Sequence, residues 1–272
     1  IHRNPLCGRN FEYYSEDPYA ASEIATAHIE GVQSQNVGTS IKHFCLNNQE
    51  TRRMSISAEV DERTMHEIYL SAFEGAVKNA KPWTVMCSYN RINGVFGSEN
   101  QETLTDILRK RWGYEGFVVS DWSAVNDRVP GLKAGLDLEM PSSFGENDAL
   151  IVEAVKKGEL DEAVVDQAVE RILNIVYRAQ EGRKENAVFD RDADHELARE
   201  IAGETLVLLK NEDHILPLSK EQKLAVIGKY AKKPRFQGGG SSHINCFKTT
   251  SALEAAEGKK VTYARGYSVS ED

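Results

Sequence analysis

Two hydrophobic periods alternate along the first two thirds of the chain. Asp17-Pro18 has the form of a helix start, an N-cap followed by proline, and Ile24, Ala25, His28, Ile29 and Val32 then recur at helical spacing. The short apolar strand Ser40-Ile41-Lys42-His43-Phe44 comes next. Asp61 can cap a long helix in which Met65, Tyr69, Phe73 and Val77 fall four residues apart on one face. Thr84 to Asn90 forms a second strand, and a helix through Leu104, Ile107 and Leu108 stops at Gly113. Gly116-Phe117-Val118-Val119 gives a third strand, a continuous apolar run of the kind buried on both faces. A fourth strand-like run, Gly135 to Met140, is halted by Pro141. Four strands alternating with helices predict a parallel sheet of α/β class. With a long helical pair over about 149–180, the pattern predicts the C-terminal half of a (β/α)8 barrel, TIM-like.

The periodicity then breaks. Residues 181–195 are highly charged, have no apolar period, and contain Gly182-Arg183-Lys184-Glu185-Asn186. They read as a linker between a domain at 1–180 and a second one at 196–272. Ala198 to Thr205 is helical in pattern, Leu206 to Lys210 is strand-like, and Lys223 to Gly228 opens a new α/β unit. The run Gln237 to Ser242 carries three glycines, but no P-loop lysine and no GxGxxG order accompany them. A loop facing the barrel mouth is the better expectation for it.

Composition narrows the function classes. A chain of 272 residues with 40% hydrophobic content can bury a real core, in one large domain or two. A formal net charge of −9 argues against nucleic acid or an anionic membrane as partner, because both need a basic surface. No apolar run approaches the roughly 20 residues that span a bilayer. The four cysteines, Cys7, Cys45, Cys87 and Cys246, are far apart and show no metal-ligand spacing. Core filling explains three of them, which fits a reducing, cytoplasmic compartment. No cofactor and no metal are expected.

The chemistry gathers at strand ends. The third strand terminates in Ser120-Asp121-Trp122. In a parallel α/β protein the strand C-termini open onto the crevice where ligands bind, so Asp121 is placed to meet a substrate. Trp122 offers a flat apolar face of the kind on which a sugar ring stacks. Taken alone, an Asp121 that merely caps a helix from Ser123 accounts for the pattern as well. The first strand, however, ends in two adjacent cation-capable donors, Lys42 and His43, and the second ends in Tyr89 and Asn90. Upstream, Gly8-Arg9-Asn10-Phe11-Glu12 precedes Ser15-Glu16-Asp17-Pro18. With Leu208-Leu209-Lys210-Asn211 and Leu216-Pro217-Leu218, these segments resemble glycoside hydrolase family 3, specifically its β-glucosidase branch. The resemblance runs from about Asn4 to about Ser242.

The resemblance implies a retaining glycosidase acting on a β-glucoside or oligosaccharide. Such an enzyme uses one carboxylate to attack the anomeric carbon and a second group to protonate the leaving oxygen, about 5–5.5 Å away. Asp121 matches the nucleophile. Arg9, Lys42 and His43 match donors that hold the sugar hydroxyls, Tyr89 matches a tyrosine close to the nucleophile, and Trp122 forms part of the pocket wall. It also implies that the second domain is the beginning of an α/β sandwich. Each residue has a plainer alternative. Arg9 can pair with Glu12 or Glu16, Lys42 and His43 can be rim hydrogen-bonders, and Tyr89 can be a core aromatic. Glu50, Arg52 and Arg53 suit a salt-bridged loop, and Glu139 a buried structural role.

Substrate type follows from two departures. No glycine-proline-histidine loop follows Lys42-His43-Phe44, which argues against the N-acetylglucosaminidase branch. Tryptophan rather than cysteine follows the nucleophile, which argues less strongly against xylosides, so β-xylosidase or broad exo-glycosidase activity stands as the alternative. No glutamate sits in an acid/base motif, so the proton donor is expected outside these residues. The partners expected are thus the rest of the same enzyme or a complementing chain, with room for a homo-oligomer. A sugar-binding or partner-binding remnant without turnover is the rival class.

Overall fold

Parallel hydrogen bonding organises the first part of the chain. In the computed structural model, which describes residues 1–219, 221–237 and 239–268, β1 (Ser40–Phe44) pairs with β2 (Thr84–Cys87), and β2 pairs with β3 (Phe117–Val119). Val85 lies opposite Ile41 on one side and Val118 on the other. Val85 and Val118 are fully buried, as the continuous apolar runs require. The expected fourth strand makes a single parallel bridge, Leu138 to Val119. The reason is local: the Asp137 carboxylate accepts from Val118 N at 2.7 Å, taking a donor that a regular ladder would use.

Helices precede, separate and follow these strands in sequence. Helix α1 (Pro18–Gln33) starts where Asp17 accepts from Ala20 N. The Asp61-capped helix, α2, runs through Glu62–Thr64, a π-wound turn at Met65–Leu70, and Ser71–Ala80. Helix α3 (Glu102–Arg111) is also π-wound, and Gly113 beyond it has a positive φ of 72°. Helix α4 (Arg128–Ala134) is followed by α5 (Glu146–Lys156) and α6 (Glu162–Glu181), the expected helical pair. Helices α1 and α2 approach closely at Gly75, where an added Cβ would sit 1.9 Å from Ser22 Oγ. Between sheet and helices lies a core of Phe44, Leu70, Val77, Leu104, Leu108, Trp112 and Leu136. The Phe44 ring meets Phe73 and Trp112 edge-on, with centroids 5.2 and 5.7 Å away. Cys45 and Cys87 are buried here as free thiols, whereas Cys7 is only half-buried and Cys246 exposed, so core filling accounts for two of the cysteines rather than the three expected.

The chain divides into two compact units, Ile1–Glu185 and Asn186–Asp272. Helix α7 (Arg191–Glu204) begins inside the segment expected as a linker, because Asp190 caps it through Asp192 N and Ala193 N. Charge without apolar periodicity therefore hid a capped helix. In the second unit, β4 (Leu224–Ile227) pairs in parallel with β5 (Val261–Ala264), and a capping box at Ser251 and Glu254 starts the short helix α8 (Ala252–Ala255). The expected strand at Leu206 to Lys210 does not form. Those residues are exposed and lie outside the described two-stranded sheet. Of the glycine run, Gly238 lies outside the described residues, and Gly240–Ser242 is a 3-10 turn. Among the described residues, no helix is long and apolar enough to cross a membrane.

Candidate active site

The end of β3 is fixed before Asp121 is reached. Ser120 is fully buried, and its hydroxyl accepts from Met140 N at 2.8 Å and donates to Met140 O at 3.1 Å. Asp121 follows with a side chain only 10% exposed. Its Oδ1 accepts from Trp122 N at 2.7 Å. No helix starts at Ser123, whose φ is +64°, and the next helix is capped by Asp127, so the capping alternative for Asp121 is not realised. Its Oδ2 is buried and has no hydrogen-bond partner among the described residues.

Two cation-capable groups face that oxygen. His43 Nε2, at the end of β1, is 3.5 Å away, and Arg9 Nη1 is 4.0 Å away. Arg9 precedes a short 3-10 turn, Asn10–Glu12, and also donates through Nε to Glu12. The ion pair with Glu12 expected for Arg9 is present, and the same guanidinium also lies beside Asp121. Lys42 is turned the other way, donating to Glu12 at 2.8 Å with 40% of its side chain exposed. Burial alone would raise the Glu12 carboxyl, but the hydrogen bonds and charges of Arg9 and Lys42 outweigh it and hold the pKa below the usual value.

His43 sits in a setting hostile to positive charge. Burial, followed by repulsion from Arg9 and Lys42, pushes its imidazole down to about 3. Its Nδ1 bonds the Tyr13 hydroxyl at 2.9 Å. Tyr89, beyond the end of β2, is buried, and burial together with the nearby Asp121 charge pushes its phenol up to about 12. Its ring lies under the Arg53 guanidinium, 4.6 Å from the centroid, and Arg53 pairs with Glu50 at 2.7 Å. Of the loop expected to be salt-bridged, Glu50 and Arg53 pair while Arg52 joins no ion pair among the described residues, and Arg53 also packs on Tyr89. The Trp122 indole is 50% exposed.

Of the six residues singled out in the sequence, Arg9, His43 and Tyr89 therefore gather on Asp121, Trp122 adjoins it, and Lys42 joins through Glu12. Tyr13 was not among them. Its contact with His43 spans 30 residues of sequence, and only its place beside Glu12 in the Arg9 segment marks it. Glu139 is held by Asn147 Nδ2 at 2.7 Å and by Arg128 Nε at 3.9 Å. Among the described residues, no group of three or more His, Cys, Asp or Glu side chains could hold a metal ion.

Comparison with known proteins gives one consistent family. The glycosyl hydrolase family 3 N terminal domain matches residues 1–175, and the family's C-terminal domain matches residues 206–262. The chain is 57% identical over its whole length to thermostable beta-glucosidase B of Acetivibrio thermocellus, covering 37% of that protein. It is 49% identical over 99% of its length to an exo-alpha-(1->6)-L-arabinopyranosidase of Bifidobacterium breve, again covering 37% of it. Among solved structures, a GH3 beta-glucosidase of Bifidobacterium adolescentis superposes with a TM-score of 0.94 at 49% identity, covering all of this chain and 40% of that one. Beta-glucosidase 3B of Thermotoga neapolitana in complex with alpha-D-glucose superposes with a TM-score of 0.90 at 43% identity, covering 97% and 38%. The chain thus spans well under half the length of these relatives.

Proposed function

Because the chain belongs to glycoside hydrolase family 3, we propose that the full-length protein is a retaining exo-glycosidase that releases terminal β-D-glucosyl residues. The chain has the family's fold over this region, the C-terminal half of a TIM-like barrel followed by the start of an α/β sandwich domain. The observation that carries the proposal is Asp121 Oδ2: a buried carboxylate oxygen at a parallel strand's C-terminus, facing donors yet bonded to none. Burying an acceptor without a partner is costly unless something else supplies the partner, and here that is the substrate.

In this reading Asp121 attacks the anomeric carbon as the bond to the leaving oxygen breaks, forming a glycosyl ester. Water then cleaves the ester with the same configuration restored. Arg9, Lys42 and His43 hold sugar hydroxyls, Arg9 through a planar fork able to reach two oxygens. Tyr89 donates its phenol near the nucleophile, and Trp122 supplies one wall. The proton donor is assigned outside residues 1–272. Glu12 is held ionised by two cations, the wrong direction for an acid, and Glu139 is engaged by Arg128 and Asn147.

The domain division is proposed as barrel to about residue 180 and sandwich from about 196, with the substrate and the remainder of the protein as partners. A second reading, an exo-glycosidase for a different pyranoside, is supported by the 49% identity to the arabinopyranosidase. Relative kcat/KM on 4-nitrophenyl β-D-glucoside and α-L-arabinopyranoside decides between them.

The direct test is Asp121→Asn, which keeps the shape and removes the attacking charge. Turnover of an aryl β-glucoside is expected to fall by several orders of magnitude. A mechanism-based 2-fluoroglucoside should label Asp121 alone. A label elsewhere, or near-parental turnover in the variant, would sink the assignment.

A further inference from the structure

We propose that Tyr13 is a positioning residue that fixes His43 as its Nε2–H tautomer, so that one N–H is aimed into the space beside Asp121. The inference rests on the glycosidase reading for its role in turnover, but its geometry stands apart from that reading.

The chain of contacts is Tyr13 hydroxyl to His43 Nδ1 at 2.9 Å, then His43 Nε2 to Asp121 Oδ2 at 3.5 Å. A neutral imidazole carries one proton, and the two ends of the ring compete for it. If Nδ1 held the proton, the Tyr13 oxygen would accept it and would have to donate to Asn47 O, a longer contact at 3.4 Å. The Nε2 lone pair would then face a carboxylate oxygen across 3.5 Å, acceptor against acceptor. If Nε2 holds the proton, Tyr13 donates along the shorter bond and the N–H points toward the anion. Both comparisons favour the Nε2–H form.

Three surroundings keep the arrangement from relaxing. Burial pushes the Tyr13 phenol far up, so it remains a donor, and the same burial with Arg9 and Lys42 keeps the imidazole neutral. The Tyr13 and His43 rings meet edge-on, with centroids 6.2 Å apart. The backbone that carries Tyr13 is tied down as well, since His2 Nε2 bonds Asn10 O at 2.7 Å and Tyr13 O at 2.8 Å. His43 Nε2 nevertheless lacks a hydrogen-bond partner of proper geometry among the described residues. A fixed donor left unused beside an unused acceptor is what a ligand hydroxyl, able to accept from one and donate to the other, would complete.

The test is made on the full-length protein with 15N-labelled histidine. Ring 15N shifts of His43, assigned by comparison with His43→Gln, should show a protonated Nε2 and a bare Nδ1 in the parent. In Tyr13→Phe, which keeps the ring but loses the hydroxyl, the Nδ1–H form should become populated. On an aryl β-glucoside, Tyr13→Phe should lower kcat/KM about three- to tenfold, the range of one net hydrogen bond. In a His43→Gln background, where the amide nitrogen replaces Nε2, the same change should have no further effect. A parent that carries its proton on Nδ1 overturns the inference, as does an equal cost of Tyr13→Phe in both backgrounds. Failure of the glycosidase reading is seen separately, as parental turnover in Asp121→Asn, and leaves the 15N result standing.

Discussion

Arg9 is shared between two carboxylates, Glu12 through its Nε and Asp121 through Nη1, while Lys42 touches only the first. The two cations therefore differ in what they can give the reaction. Arg9 lies where charge on Asp121 changes as the ester forms, so its loss should appear in kcat as well as KM. Arg9→Ala is expected to cost about 1.5–3 kcal/mol of transition-state stabilisation, the range of charge-assisted bonds, measured as kcat/KM on an aryl β-glucoside. Lys42→Ala should cost less and mainly in KM, because its ammonium is half exposed and paired with Glu12. Equal effects of the two on kcat would show that Lys42 leaves Glu12 when sugar binds. At this scale Arg9, Lys42, His43, Tyr89 and Trp122 were legible because each stands in a short motif. Tyr13 was not, since a phenol meeting a ring nitrogen 30 residues away follows no local period.

Among the elements, Asp137 ties the sheet to two helices. Its buried carboxylate accepts from Arg109 of α3, from Arg171 of α6 at 2.9 Å, and from Val118 N of β3. Arg109 also donates to Gly116 O at 2.9 Å, so the start of β3 is held by the same network. Removing the charge strands two guanidinium groups in partly or fully buried positions. Asp137→Asn is therefore expected to destabilise the first unit by about 3–5 kcal/mol, read from chemical denaturation. A loss under about 1 kcal/mol would mean that the arginines reach solvent once released. The same residue explains where sequence reading stopped. Apolar period and caps gave β1, β2, β3, α1 and α2, whose signals are local. The run from Gly135 to Met140 has a strand's pattern, but a carboxylate within it captures a backbone donor and limits pairing to one bridge. Leu206 to Lys210 has a strand's composition, but it is exposed and pairs with neither strand of the described sheet, so composition without burial did not make it a strand.

For the molecule as a whole, the site has a cost that pH can expose. His43 is held neutral down to about pH 3 when folded, whereas an exposed histidine takes up a proton near 6.5. Below 6.5 the unfolded chain therefore binds a proton that the folded chain refuses, and folding stability rises with pH through that window. In the other direction, stability is lost steadily as pH falls from 6.5 toward 3, at up to about 1.4 kcal/mol per pH unit. Between pH 7.5 and pH 5.0 the expected loss from this residue is about 2 kcal/mol. Carboxylates such as Glu12, whose pKa is lowered, add their own losses only at more acid pH, below about 4.5. The chain has seven histidines, so the measurement is a difference: denaturation of the parent and of His43→Gln at both pH values. The parent should lose about 2 kcal/mol more than the variant over the interval. Equal losses would mean that His43 takes up its proton in the folded state, with Asp121 close enough at 3.5 Å to stabilise it, and that the neutral imidazole of the proposed site does not exist.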